Sequence, residues 1–206
     1  EEIGDAPLAR TIMDEPIVFY RTAGGVSVAL ADRCCHRALP LSMGQVIGDD
    51  IRCGYHGLEF SGETGKCTHN PHGPVTGALS IRVYPCVGLY GVIWVWMGDP
   101  SAADPANIPD LHFITDASEH AFSKGYMHAA ANHHLLEDNI LDLSHADYLH
   151  PDTLGGGSIT RSKAQVEERG NTVFVQWLAK NERALPILRS EMPDPDMKTD
   201  MWTEVL

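Results

Sequence analysis

The chain is poor in positive charge. Fifteen Lys and Arg stand against twenty-eight Asp and Glu in 206 residues, a net charge of −13. Nucleic acid and anionic membrane surfaces both call for a basic patch, so this balance argues against either as a partner. Solubility is the simplest reading of the acidity. Long apolar runs are also missing. The richest stretch, Tyr90 to Met97, is strand-sized, well short of the ~20 residues that cross a bilayer. No signal-peptide pattern opens the chain. It begins at Glu1-Glu2-Ile3 without an initiator methionine, so residues are expected to be missing ahead of it. Cysteine is scarce and odd in number, five in all, and its spacing is not that of a secreted disulfide framework. A reducing cytoplasm suits that inventory. Cys35, Cys67 and Cys86 read as buried apolar thiols. Internal repeats and low-complexity tracts are absent.

What is present is turn chemistry. Up to about Pro100 the sequence reads as short strands joined by tight turns. Ile17–Tyr20 and Val26–Leu30 flank Gly24-Gly25. Ile51–Cys53 and Leu58–Phe60 are short strands. Leu79–Tyr84 and Tyr90–Met97 are longer, with Gly88 near the turn between them. Trp94 and Trp96 alternate with valines and read as core. The Pro/Asp/Ala-rich stretch Asp99 to Pro105 marks a boundary, giving domains 1–105 and 106–206. One helix is predicted from Asn132 or His133 to about Tyr148, with Leu135, Leu136, Ile140 and Leu143 at helical spacing. Beyond Pro151 and the loop Gly155-Gly156-Gly157, a hairpin of Ile159–Glu167 and Thr172–Leu178 turns at Arg169-Gly170-Asn171, and a last strand begins near Met201.

Two constellations carry chemistry. Cys34 and His36 form Cys-x-His; after sixteen intervening residues Cys53 and His56 form Cys-x-x-His. Two such loops facing each other supply two thiolates and two imidazoles. That set suits tetrahedral Zn²⁺ and equally a [2Fe–2S] cluster with two Cys on one iron and two His on the other. Zinc fingers usually pair like ligands and are commonly followed by a helix. Here the ligands alternate and both loops lie between strands. In the second constellation Asn139, Asp142 and His145 follow at three-residue steps along one helix face, with His150 beyond. Residues five apart point about 140° apart on a straight helix, which is poor for shared metal binding. Pro151 disfavours helical backbone at His150 and lets it swing back. A carboxylate at Asp142 would orient the His145 ring. Of the other histidines, His133 and His134 open the helix and suit surface or capping roles ahead of the alternative that one lines the pocket, His69 and His72 sit in a packing loop, and His112, His120 and His128 carry no motif.

The flanks Asp32-Arg33-Cys34-Cys35-His36-Arg37 and Cys53-Gly54-Tyr55-His56-Gly57-Leu58-Glu59-Phe60 resemble the cluster loops of Rieske proteins. Respiratory-chain members carry an extra Cys in each loop; Leu39 and Tyr55 stand there, and Leu58 replaces a hydroxyl, which implies a lower cluster potential. Together with Asp142-x-x-His145-x-x-x-x-His150, the chain resembles the Rieske non-haem iron oxygenases. Asp138 to His145, Pro7-Leu8-Ala9-Arg10-Thr11, Cys67 to Pro71 and Trp94 to Pro100 fit the branch of vanillate and dicamba O-demethylase oxygenase components.

The resemblance implies an α+β protein, an N-terminal antiparallel β Rieske domain followed by the start of a helix-grip-like catalytic domain. It implies a [2Fe–2S] cluster on Cys34, His36, Cys53 and His56, and mononuclear Fe(II) on His145, His150 and a carboxylate that matches no residue of this chain. Asp142 and Asn139 are the expected catalytic residues. Expected partners are a reductase or ferredoxin electron donor, O₂, an aromatic substrate and a homotrimer of copies. O-demethylation of a methoxylated aromatic acid leads; ring dihydroxylation, N-demethylation and methyl hydroxylation share the scaffold. A Rieske ferredoxin, a pure carrier, is the rival of another class, and the residues after Asp99 argue against it.

Overall fold

Successive residues of Ile17–Tyr20 face different cores, which sets one strand at the centre of the N-terminal half. A computed structural model of the chain describes every residue except 1, 5, 117, 119–124, 126, 171 and 206. His120 and the Asn171 corner of the expected hairpin lie outside the described residues. The chain forms two units, Glu1–Lys124 and Gly125–Leu206.

In the first unit β1 (Leu8–Ile12) pairs antiparallel with β2 (Glu15–Arg21), and β2 with β3 (Ser27–Ala31). Val18 and Tyr20 join a core with Leu30, Leu41, Ile51 and Phe60, whereas Ile17 and Phe19 join Ala29 and Tyr84. Because strand side chains alternate, β2 is buried on both faces. A second antiparallel sheet runs β4 (Gln45–Ile47), β5 (Asp50–Arg52), β6 (Glu59–Ser61) and β7 (Cys67–His69), and β8 (Cys86–Leu89) pairs with β9 (Val92–Val95).

Three expectations need correction here. Leu79–Tyr84 is not a continuous strand. It meets its neighbours through the single bridges Leu30↔Val83 and Lys66↔Ser80, because its hydrogen bonds are shared between two sheets. The Tyr84 N–H goes to Ala29 and the Ile81 N–H to Gly65, both 2.9 Å. A side chain at Gly65 would sit 2.2 Å from the Ile81 carbonyl, at a φ of 67°. The β8–β9 turn is at Tyr90-Gly91, both at positive φ (56° and 76°), not at Gly88, which lies within β8. Finally, the core face of β9 is Ile93 and Val95. Trp96 is 38% exposed, its indole N–H donating to the Asp99 carbonyl at 2.8 Å.

In the second unit α1 (His133–Leu141) ends at Asp142, whose φ/ψ of −109°/93° is extended. A 3₁₀ turn, Leu143–His145, leads into α2 (Ala146–Leu149). The single helix expected to Tyr148 is therefore broken at Asp142. The side chain responsible is that of Asp142, which accepts from the Ser144 N–H at 2.9 Å and starts the next turn as its cap. Next come α3 (Ser158–Arg161), where a strand was expected, and the sheet β10 (Ala164–Arg169), β11 (Thr172–Arg183), β12 (Lys198–Val205). The α1 residues Leu135, Leu136 and Ile140 stand exposed; no described residue of this unit covers the apolar face the sequence had marked for packing. Among the described residues no helix is long and apolar enough to cross a membrane.

Candidate metal centres

The two Cys/His loops are built alike. In the first, between β3 and the short turn Leu41–Met43, the Cys34 N–H donates to the Leu39 carbonyl and the Ala38 N–H to the Cys34 carbonyl, both at 2.9 Å. In the second, between β5 and β6, the Cys53 N–H donates to Leu58 at 2.8 Å and the Gly57 N–H to Cys53 at 3.1 Å. Each loop closes with a residue at positive φ, Ala38 at 59° and Gly57 at 72°. Asp32 anchors the first loop. It is buried, and its carboxylate accepts from the Ser42 hydroxyl (2.6 Å) and N–H (2.7 Å). The loops are also close to each other: a side chain at Gly54 would lie 2.9 Å from the Met43 carbonyl. His72 covers the second loop, its Nε2 lying 3.1 Å from the His56 carbonyl.

This folding puts the sulfurs inside and the imidazoles outside. Cys34 and Cys53 are each 2% exposed within the main core. His36 is exposed and His56 half-buried, with ring centroids 4.5 Å apart. Burial pushes the Cys34 thiol up to about 11; the N–H groups of His36 and Arg37 pull the other way, and the hydrogen-bonded Cys53 sulfur adds to the rise. Partial desolvation, and then charge interaction with His36, His72 and Arg37, lower the His56 pKa and favour the neutral ring that binds metal.

Ligand atoms around a single tetrahedral zinc lie about 3.3–3.8 Å apart, given its bond lengths. Among the described residues, three or more His, Cys, Asp or Glu ligand atoms gather within 4.8 Å of one another only at the exposed trio His133, His134 and Glu137. The Cys/His loops pair sulfur with sulfur and ring with ring. That is the donor set a two-iron cluster takes. All five cysteines are free. Cys67 is buried as expected and Cys86 half-buried; Cys35 is exposed, a correction, because the loop turns Cys34 into the core and leaves the next residue at the surface.

The second constellation lies where α1 breaks. His145 and His150 have ring centroids 5.6 Å apart, at 72°. A straight helix would splay them; His145 stands at the junction of the 3₁₀ turn with α2, and His150 leaves the helix at φ/ψ −124°/45°, which brings the rings together. His145 Nδ1 lies 2.8 Å from the Asp142 carbonyl oxygen. A carbonyl only accepts, so Nδ1 carries a proton, and in the neutral ring the lone pair is then on Nε2. The Asn139 amide reaches that Nε2 at 3.3 Å. The orienting group is thus the Asp142 backbone, not its carboxylate as expected. The carboxylate is held below the usual range by the Ser144 hydroxyl and N–H, with His145 adding to the effect. It is exposed on this chain.

Asp147, which the sequence reading passed over, holds the two histidines in place. It lies between them on α2 and accepts from the N–H groups of Gly156 (3.0 Å), Gly157 (2.7 Å) and Thr160 (2.7 Å) and from the Thr160 hydroxyl (2.7 Å). Burial raises its pKa, but these hydrogen bonds outweigh burial and the net shift is downward. A depressed carboxyl stabilises the fold above the ordinary carboxylate range and loses that contribution as pH falls through the folded value. Asp147→Asn turns an NH₂ toward N–H donors. It is expected to cost about 1–3 kcal/mol, read as a lower urea midpoint at pH 7, with the gap to the parent narrowing on acidification. An unchanged midpoint would refute the clamp.

Two family models match the chain: the Rieske [2Fe–2S] domain over residues 1–85 and the vanillate O-demethylase oxygenase C-terminal domain over residues 129–206. The chain belongs to the Rieske non-haem iron oxygenases. Within them it is 45% identical over 152 residues to the dicamba O-demethylase oxygenase component of Stenotrophomonas maltophilia, covering 73% of this chain and 44% of that protein. It is 38% identical over 206 residues to the vanillate O-demethylase oxygenase subunit of Pseudomonas sp. strain HR199, covering 98% and 58%. Among solved structures it is similar to dicamba monooxygenase bound to 3,6-dichlorosalicylic acid, with a TM-score of 0.91 and 35% identity over 98% of this chain and 60% of that one. A dicamba monooxygenase structure with non-haem iron and dicamba aligns with a TM-score of 0.78 at 36% identity, over 98% and 58%. The chain thus spans 44–60% of the length of these relatives. Such similarity makes this Rieske oxygenase chain an α+β fold with a [2Fe–2S] domain at its N-terminal end.

Proposed function

We propose that this Rieske oxygenase chain belongs to the oxygenase component of an aromatic monooxygenase that O-demethylates a methoxylated aromatic acid, using O₂ and electrons from a separate reductase or ferredoxin. The observation that carries the reading is the pair of donor sets in one chain: a buried-sulfur, exposed-imidazole cluster site, and a His145–His150 pair with one tautomer already selected. A pure electron carrier has no use for the second. In this reading Cys34, Cys53, His36 and His56 hold the cluster, and His145 through Nε2, with His150, holds mononuclear Fe(II). When bound, the cluster supplies one-electron transfer and the iron supplies dioxygen activation. The Asp142 carbonyl keeps the proton on His145 Nδ1, and Asn139 holds an N–H beside Nε2. Hydroxylation of a methoxy carbon leaves a hemiacetal that loses formaldehyde. The test is turnover of a panel of methoxybenzoates by the whole protein with NADH, reductase and O₂. One formaldehyde per phenol formed is expected; a ring diol without formaldehyde would overturn the reading.

Asp142 takes a further role in the same proposal. Its carboxylate connects the iron site of one copy to a cluster histidine, His36 or His56, of a neighbouring copy in a closed ring, expected as a trimer. Support comes from its exposure beside His145 and from the outward-facing cluster rings. Asn caps a helix as well as Asp does, so Asp142→Asn isolates the charge from the cap. The variant is expected to keep both metal centres and its oligomeric state while cluster oxidation by O₂ with substrate bound slows ~10–100-fold, in line with losses seen when partners of metal ligands are removed. Rapid cluster oxidation in the variant would exclude this role.

A further inference from the structure

We propose that the groove beside His36 is the docking surface for the acidic face of a protein one-electron donor. This rests on the functional reading above and names the place where its electrons enter. The groove has a volume of about 300 Å³, and Arg33, Arg37 and Arg82 line it together with Cys34, Cys35 and His36. Two groups of the cluster site, Cys34 and His36, are therefore part of its wall.

The charge there runs against the rest of the molecule. The whole chain carries −13, yet three arginines converge on this one lip. Arg33 and Arg37 are exposed, and neither forms an ion pair with a described carboxylate. The nearest acid in sequence does not neutralise them, because both oxygens of Asp32 are taken by Ser42. Arg82 is held rigid, its guanidinium 4.5 Å over the Tyr84 ring and donating to the Met97 carbonyl at 3.1 Å. Unpaired arginines on an acidic protein keep their field for a partner. They steer an acidic partner toward the place where the Cys34–His36 loop lies at the surface. The transfer is simple in balance. One electron leaves the reduced donor and enters the cluster, and no bond is made or broken. Small, wet, charge-steered contacts are the usual form of such encounters.

The test is stopped-flow reduction of the oxidised holoprotein by a reduced plant-type [2Fe–2S] ferredoxin, used as the acidic probe. The wild-type second-order rate is expected to fall about tenfold from low to physiological salt, as a screened attraction does. Arg33→Ala and Arg37→Ala should each lower the low-salt rate ~3–10-fold and flatten the salt dependence, with rates converging on wild type at high salt. Arg37→Lys should restore most of the rate. Reduction by a neutral photogenerated deazaflavin radical should be unchanged in all variants. A wild-type rate independent of salt, or a double Ala variant that matches wild type at low salt, would overturn the proposal. So would loss of the native oligomer in either Ala variant, which would make the groove a contact between copies. A protein with no Rieske-type spectrum before any rate is taken would instead bring down the functional reading itself.

Discussion

Cys34→Ala and Cys53→Ala should each abolish the Rieske-type electron paramagnetic resonance signal of the reduced protein, together with its visible absorption and cluster iron. The effect is all-or-none because each sulfur comes from a loop built to present a single thiol. The N–H of the cysteine and that of the residue four further on are both spent within the loop, so no neighbour can shift into its place. Cys35 illustrates this: adjacent in sequence, it points to solvent, and Cys35→Ala should leave the spectrum intact. Both ligand thiols also lie in the core with Leu41, Leu58 and Phe60. Truncation therefore adds a packing loss of about 1–2 kcal/mol, the usual cost of removing a small buried group. Cys34→Ser separates the two effects, since it keeps the volume and removes the soft ligand. A Rieske-type signal surviving in Cys34→Ala or Cys53→Ala would remove that residue from the cluster site.

His145→Ala and His150→Ala should each reduce turnover to background and leave the cluster spectrum unchanged. One iron per chain is lost and the cluster irons stay. The separation follows from the fold, because the Cys/His loops belong to the unit Glu1–Lys124 and the histidine pair to Gly125–Leu206. Asn139→Ala should be milder, about 10–100-fold in activity or iron affinity, as for groups that touch a ligand without binding metal. Iron analysis beside the cluster spectrum decides the matter. Full activity in either histidine variant, or loss of cluster iron alongside the mononuclear iron, would sink the assignment.

How much of this was legible in the sequence differs between the two sites. The loops around Cys34 and His36 and around Cys53 and His56 could be read as loops because each is local: its Cys and His, its closing turn and its hydrogen bonds all fall within a few residues. His145 and His150 were harder. Counted along a straight helix they diverge, and only the proline after His150 hinted otherwise. The break at Asp142 was invisible because Asp138 to Tyr148 contains neither Gly nor Pro; a side-chain cap on Ser144 ends the helix instead. Asp147 carried no signal at all, since its four donors come from Gly156, Gly157 and Thr160, a loop that sequence distance does not tie to α2. The turns followed the same logic. Gly24-Gly25 announced its hairpin, whereas Met13-Asp14, both at positive φ (51° and 63°), has no glycine or asparagine to mark it.

The sequence by itself determined the donor chemistry: two Cys/His loops at a separation that suits a shared cluster, a second histidine pair, and strands whose two-residue period sends β2 into two cores. Tertiary structure alone decided which atoms face which. It turned the Cys34 and Cys53 sulfurs inward and left His36 exposed and His56 half-buried, set a backbone carbonyl against His145 Nδ1, and gathered three arginines from two distant segments beside the Cys34–His36 loop. The physical reason is range. A thiolate, an imidazole or a turn is a property of a few adjacent residues, while burial, hydrogen-bond partnership and local field depend on segments that only the packed chain brings together.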